Sequence, residues 1–164
     1  MSDTPSQTAG PVAVATHLPD PHLPDANWAD AYEIKTSRSF ADMRSLAQQT
    51  IGTMPRWAKG LLWLRNIVVA PFGLKPDGLQ DAAPQSGCIG IFPILHETDT
   101  QIVLGLDDRH LDFRIVVDRH QTAGTNRIRA TTLVQRHNTF GRCYITLITP
   151  FHQLIVRSVL SNAL

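Results

Sequence analysis

Residues 138–160, with the sequence NTFGRCYITLITPFHQLIVRSVL, decide the fold of this chain. Asn138 is a favoured helix N-cap, because its side chain can accept a backbone hydrogen bond. Beyond it, residues three and four apart form one mostly apolar stripe: Phe140, Tyr144, Leu147, Ile148, Phe151, Leu154, Ile155, Ser158 and Val159. The opposite side is polar: Arg142, Thr146, Gln153 and Arg157. The pattern predicts a long C-terminal helix whose apolar stripe faces the core.

One alternative stays open for this stretch, because Pro150 lies inside it. A proline within a helix removes the hydrogen bond to the carbonyl of Thr146 and crowds that turn, which kinks the helix. The β-branched residues between Ile145 and Thr149 also lower the helix propensity. A strand over 143–149 followed by a short helix is the alternative, and one long kinked helix is the preferred prediction.

Before this helix the apolar period changes to two, which is typical of strands. Four such runs with short connections predict antiparallel hairpins: roughly Ile89–Glu97, Gln101–Leu106, His110–Arg119 and Thr125–His137. In the third run, four apolar residues share the face that is predicted to lie against the core: Leu111, Phe113, Ile115 and Val117.

The N-terminal half is predicted to supply one strand and two short helices. Alternation from Tyr32 to Thr36 predicts a strand within 28–37. Ser39 then precedes apolar residues at helical spacing, which predicts a capped helix that ends at Gly52. A second helix is expected from Pro55 to about residue 72, followed by a loop over 74–87, and its apolar positions are Trp57, Leu61, Leu64, Val68 and Phe72.

Residues 1–27 are expected to form an extended, flexible arm in front of a single domain over 28–164. They hold five of the eleven prolines and show no helical or alternating period. Proline fixes φ and removes a backbone donor, so regular pairing is blocked. The arm is predicted to add little to the core, so that its deletion leaves the melting temperature nearly unchanged.

Charge and cysteine content exclude several classes of function. Fifteen Lys and Arg nearly balance fourteen Asp and Glu, so no global field favours nucleic acid or an anionic membrane. The eight arginines from Arg109 onward predict a solvated sheet face, with an acid-binding site as the alternative. Cys88 and Cys143 lack metal or disulfide spacing, so no metal and no cofactor is expected. No signal peptide or membrane span is recognisable, which indicates a cytoplasmic protein.

The predicted order of elements resembles the α+β helix-grip fold of START-like, birch-pollen-allergen-like and polyketide-cyclase-like proteins, the SRPBCC superfamily. In that fold a curved antiparallel sheet wraps a long C-terminal helix, and two short helices follow the first strand. Three segments also resemble an uncharacterised bacterial family, domain of unknown function 2867 (DUF2867). These segments are WADAY at 28–32, LGLDDRHLDFR at 104–114, and Arg136-His137-Asn138 through Gly141-Arg142-Cys143-Tyr144 to Pro150-Phe151-His152.

The resemblance covers residues 28–164 and implies no established reaction. Some relatives look like C-terminal extensions of short-chain dehydrogenase-type proteins. This chain has no GxGxxG motif and no room for a nucleotide-binding half, so that activity is not expected here. The fold itself implies a space between sheet and helix, and it commonly encloses apolar ligands.

Six residues are candidate ligand contacts, on the C-terminal helix, around one hairpin and before the helix: Tyr144, His152, His110, Arg109, Arg114 and His137. A hydroxyl and an imidazole on the apolar helix side can orient a ligand in an apolar cavity. Either arginine can bind an acidic group, with His110 available for proton transfer. The alternative is structural, with backbone hydrogen bonds, turn chemistry and cross-strand ion pairs.

Three functions stay open at this point. The preferred one is a binding or carrier domain for a hydrophobic small molecule, with or without an acidic group, held in a cavity between the sheet and the C-terminal helix. The second is an enzyme of the cyclase, isomerase or hydratase kind, although no nucleophilic triad motif is recognisable. The third is an interaction domain for a partner oxidoreductase or for a second copy of the chain.

Overall fold

Seven antiparallel strands form one sheet in the part of the chain that the computed structural model describes, residues 10–53, 87–107, 110–122 and 124–164. The strands are β1 (Val12–Ala13), β2 (Trp28–Thr36), β3 (Cys88–Ile89), β4 (Phe92–Glu97), β5 (Gln101–Asp107), β6 (Leu111–Thr122) and β7 (Thr125–Arg136). Their order across the sheet is β1-β2-β7-β6-β5-β4-β3, so the first long strand lies beside the last. Strands β4 to β7 pair consecutively and antiparallel, which confirms the predicted hairpins. The predicted first run, Ile89–Glu97, is instead divided at Gly90 and Ile91 into β3 and β4, which also pair antiparallel.

The C-terminal helix, α2, runs from Thr139 to Ser161 with Pro150 inside it. Asn138 caps this helix, and its side-chain Oδ1 accepts the N–H of Gly141 at 2.9 Å. One long helix is therefore confirmed, and the alternative strand over 143–149 is wrong. Packing against the sheet outweighs the low local propensity, as tertiary contacts commonly do. The antiparallel sheet and this helix make the fold α+β, as predicted.

The face that α2 buries is not the stripe that the sequence pattern predicts. Its buried residues are Gly141, Ile145, Val156, Val159 and Leu160, of which Val159 alone belongs to the predicted stripe. Three residues of that stripe are instead 69%, 45% and 58% exposed: Leu147, Phe151 and Leu154. Two contacts fix the orientation of the helix about its axis. His152 donates a hydrogen bond to Asp30, and Gly141 closely approaches the backbone of His110.

The first helix, α1 (Met43–Thr50), begins later than predicted because Asp42, and not Ser39, is its N-cap. The carboxylate of Asp42 accepts the N–H of Ser45 at 2.6 Å, and this bond lowers the pKa of Asp42. The carbonyl of Phe40 accepts a hydrogen bond from Arg119, which holds the preceding residues outside the helix. One 3₁₀ turn, Ile51–Thr53, follows α1. The predicted second helix and the loop as far as residue 86 lie outside the described residues.

The main core lies between the sheet and the two helices. The predicted core face of β6 is confirmed, because Ile115 and Val117 pack in the cluster that contains Leu160 of α2. Leu111 and Phe113, on the same face, pack in a second cluster around Ile145. The helix lies over β2 and β7.

Residues 10–27 contribute to the fold, which corrects the expectation that the N-terminal arm adds little to the core. Strand β1 pairs with β2, and the N–H of Val14 donates to the carbonyl of Ala31 at 2.9 Å. Leu23 is 6% exposed and packs on the second face of the sheet, in a cluster with Val103, Val116 and Leu133. A proline-rich segment can bury a side chain without forming a long strand, so proline density does not measure its contribution.

Candidate functional site

The predicted ligand residues do not converge on one point. His110 contacts Asn138 at the N-terminus of α2, whereas His152 lies 14 residues after Asn138 on the same helix. At 1.5 Å per residue, this separation is about 21 Å along the helix axis. One small reacting group cannot contact both histidines, so they belong to two different sites.

The first site lies where His110 meets the start of α2. Because Asn138 Oδ1 accepts the N–H of Gly141, its Nδ2 must face His110, whose Nδ1 lies 2.9 Å away. An amide nitrogen donates, so Nδ1 is the acceptor and the proton of the neutral ring is assigned to Nε2. That Nε2 is buried without a hydrogen-bond partner in the described chain, and the ring lies 4.9 Å from the ring of Phe140.

His137, Asp112 and Gly141 add backbone and side-chain contacts to the same site. The N–H of His137 donates to the carbonyl of His110 at 3.0 Å, and His137 Nε2 lies 3.0 Å from Asp112 Oδ2. Gly141 approaches the same carbonyl so closely that a Cβ would lie 2.4 Å from its oxygen. We call His110, Asp112, His137, Asn138 and Gly141 the junction. These contacts hold the N-terminus of α2 against the start of β6, which is a structural role.

Replacing Asn138 with alanine is expected to lower the free energy of unfolding by about 1–2 kcal/mol, because the cap and the bond to His110 are both lost. Asn138→Asp is the matched control, since a carboxylate keeps the cap and forces His110 to place a proton on Nδ1. Urea denaturation measures the stability, and nitrogen-15 NMR reports the tautomer. Unchanged stability in the alanine variant would contradict this account of the junction.

The second site, which we call the Asp30 site, consists of Trp28, Asp30, Thr132 and His152. His152 Nε2 lies 3.1 Å from Asp30 Oδ1, and both side chains are mostly buried. The ring of Trp28 meets the ring of His152 edge to face, with centroids 5.8 Å apart. Thr132 on β7 lies directly opposite Asp30 in the strand register. An imidazole held by a carboxylate can move a proton or orient a polar ligand.

Asp30 was not among the predicted site residues, although its signal is present in the sequence. Asp30 falls between Trp28 and Tyr32 in the period-two pattern of β2, so it occupies the face that α2 covers. A carboxylate on a covered strand face needs a partner. Its partner, His152, lies 122 residues away in the chain, and no local pattern connects the two.

A half-buried apolar surface adjoins the Asp30 site, and we call it the patch. It consists of Trp28, Phe113, Tyr144 and Ile148, which rest on the buried Leu111, Val134 and Ile145. Leu147 and Phe151 are exposed, and each lies three residues along α2 from a patch residue, Leu147 from Tyr144 and Phe151 from Ile148. Exposed apolar side chains that group on a surface are typical of ligand or partner binding. Tyr144 thus belongs to the patch and His152 contacts its Trp28, whereas His110 and His137 lie at the junction.

The arginines for which the structure shows contacts make structural ones, and none of these contacts is to a patch residue other than the main chain of Phe113. Arg114 points to the opposite face of the sheet, where it pairs with Asp107, and Arg109 lies outside the described residues. Several others donate to main-chain carbonyls, namely Arg38 to Asn162, Arg119 to Phe40, Arg129 to Ala15 and Arg136 to Asn27. These arginine side chains thus connect separate segments of the chain, and their contacts give no support to the alternative of an acid-binding site.

Within residues 10–53, 87–107, 110–122 and 124–164, no three His, Cys, Asp or Glu side chains come together as a metal site would require. Cys88 and Cys143 are free and exposed. A hollow of about 390 Å³ lies beside α1, between Arg44, Gln48 and Cys88. None of the five predicted ligand residues that the structure describes lines it, so the hollow and the patch are separate features.

These features define an α+β domain with a long C-terminal helix over two strands of an antiparallel sheet and an apolar surface along the flank of that helix. The chain belongs to the family described as "Protein of unknown function (DUF2867)", which matches residues 22–159. This match confirms the family that the three sequence segments indicate. Neither the curated proteins nor the solved structures contain a match to this chain.

Proposed function

We propose that this chain is a helix-grip domain of the START-like (SRPBCC) kind that binds a hydrophobic small molecule over the patch. The strand order supports the fold, because β2 lies beside β7 and α2 crosses both strands. The observation that carries the function is the patch itself: four large apolar side chains lie half-buried together beside a hydrogen-bonded His152–Asp30 pair. Apolar surface with a few placed polar groups is the usual composition of a small-molecule site.

We further propose that the protein acts in the cytoplasm of a bacterium. By length and mean hydropathy α2 would also suffice to cross a membrane. The same helix, however, buries Ile145, Val156 and Leu160 in the core, and its Tyr144 and Ile148 belong to the patch. Contact with the core on one side and with a ligand on the other explains the high mean hydropathy of α2 without a membrane.

Native mass spectrometry and a fluorescent apolar probe, N-phenyl-1-naphthylamine, test the binding function. Purified protein is expected to retain a small molecule that solvent extraction releases, and the emptied protein is expected to bind the probe. Ile148→Gln should weaken probe binding roughly tenfold, because a buried apolar contact is lost. Leu95→Gln is the matched control, since Leu95 is exposed elsewhere on β4. Equal binding by both variants, or no binding at all, would reject the proposal.

The His152–Asp30 pair favours a second candidate function, an enzyme of the isomerase, cyclase or hydratase kind. In such an enzyme, His152 would exchange a proton with the bound molecule while Asp30 holds its ring through Nε2. The retained molecule, once identified, is the substrate to try. Turnover that His152→Gln abolishes while the fold is retained would favour the enzyme, and binding without turnover would favour the carrier.

A further inference from the structure

Three histidines lie at the junction and the Asp30 site, and their partners differ in kind. The Nε2 atoms of His137 and His152 lie 3.0 and 3.1 Å from aspartate oxygens. A carboxylate accepts a hydrogen bond from a neutral or a protonated imidazole, so both contacts persist when the rings are protonated. His110 Nδ1 instead faces a hydrogen-bond donor, Asn138 Nδ2, at 2.9 Å. Of the three, His110 is therefore the histidine whose contact is lost when its ring takes up a proton.

The amide of Asn138 cannot turn to accommodate a protonated ring. Its Oδ1 accepts the N–H of Gly141 at 2.9 Å, and this bond is the cap of α2. A flipped amide would offer Oδ1 to His110, but it would then place its own N–H groups against that of Gly141. A second proton on His110 thus sets a donor against a donor in either orientation, and one of the two bonds of Asn138 is lost.

The groups around the junction provide no other acceptor for the added proton. His110 Nε2 is buried without an acceptor in the described chain, and the N-terminus of α2 adds the positive end of the helix dipole. The charged and titratable groups on the adjoining elements are Asp107 on β5, Asp112 on β6, Arg136 on β7, His137 after it and Arg142 on α2. The two carboxylates contact Arg114 and His137 respectively. Asp108 and Arg109, which precede His110, lie outside the described residues.

We infer that the junction responds to pH: protonation of His110 breaks its contact with Asn138 and releases the first turn of α2. The contact is made while the ring is neutral. It is lost as the pH falls through the range in which an imidazole takes up a proton, about pH 6.5 in unstructured peptides. The inference concerns the N-terminus of α2 and does not depend on ligand binding at the patch.

The first turn of α2 also supports one residue of the patch. The ring of Phe140 lies 4.9 Å from the ring of His110 and stacks on the ring of Tyr144, with centroids 6.5 Å apart. Tyr144 belongs to the patch. Release of the first turn therefore loosens Phe140 and, with it, the support of an aromatic side chain of the patch.

Hydrogen exchange of the Gly141 amide, measured by NMR on the full chain, tests the inference. After correction for the intrinsic effect of pH on exchange, its protection is expected to fall about fivefold between about pH 7.5 and about pH 5.5, the effect of losing one hydrogen bond. The amide of Val159, which is buried near the other end of α2, is the internal reference and should keep its protection. Constant protection of Gly141 over this range would overturn the inference.

Two variants of the junction give opposite expectations. His110→Gln removes the titrating ring and should abolish the response to pH. Asn138→Asp should reverse it, because the carboxylate still caps the N–H of Gly141 and also accepts from a protonated His110. Protection of Gly141 in this variant should rise in acid. His137→Gln is the matched control, since His137 lies at the same site but pairs with Asp112, and it should respond as the wild type does.

The variants separate the contact between His110 and Asn138 from a general effect of acid. A response that persists in His110→Gln would assign the titration to another group and overturn the inference. A fall of equal size in Asn138→Asp and the wild type would overturn it too, because the residue at position 138 would then not set the response. Should His110→Gln fail to fold, the direction of the response in Asn138→Asp decides alone.

Discussion

Substitution of Gly141 by alanine is expected to destabilise the protein by about 3 kcal/mol, the upper range for inserting an atom into a packed site. The added Cβ would lie 2.4 Å from the carbonyl oxygen of His110, which is backbone and cannot rotate away. The same carbonyl also accepts the N–H of His137, so moving it breaks a second contact. Urea denaturation of the wild type and the variant measures the difference in the free energy of unfolding.

Gly10→Ala is the matched control for this experiment. No atom lies within 4 Å of the position that its Cβ would take, so the change should stay within about 0.5 kcal/mol. Alanine is otherwise the better helix former, so propensity alone predicts that Gly141→Ala stabilises α2. A stabilised or unchanged Gly141→Ala protein would therefore show that α2 does not approach the backbone of His110 this closely.

The elements of this fold could be predicted from the sequence because each has a strong local pattern. The alternation of β6 and the cap at Asn138 are local signals, and the structure confirms both. The predicted start of α1 after Ser39 is wrong because Ser39 and Asp42 are both good caps, and a distant contact from Arg119 to Phe40 decides between them. The burial of Leu23 has no local signal either, since its partners lie on β5, β6 and β7.

The candidate site was harder to predict than the fold, because its defining contacts are long-range. The apolar pattern of the helix points to Tyr144, which belongs to the patch, and to His152, which contacts Trp28 of the patch. Charge alone makes Arg114 a candidate, and the alternation of β6 puts it on the opposite face. The sequence does not single out Asp30, because its partner His152 lies far away in the chain. Residue type and spacing thus indicate candidates, and pairing across the fold selects among them.

Two leucines of α2 test which side of the helix is buried, and Leu160→Ala is expected to have the larger effect. Leu160 is 2% exposed and belongs to the main core, so truncation should cost about 3–5 kcal/mol through lost contacts and a cavity. The sequence pattern places Leu147, and not Leu160, on the buried stripe. Leu147 is 69% exposed, so Leu147→Ala should change the stability by less than about 1 kcal/mol.

The comparison is informative because both variants make the same chemical change in the same helix, so the difference between them reports mainly how deeply each side chain is buried. Chemical denaturation gives both free energies of unfolding. Leu147→Ala should instead weaken binding of the naphthylamine probe, since the exposed Leu147 lies one helical turn from the patch residue Tyr144, and Leu160→Ala should not while the protein stays folded. Equal destabilisation by the two variants, or the reverse order, would mean that α2 buries the stripe predicted by its sequence, and the patch would then be part of the core.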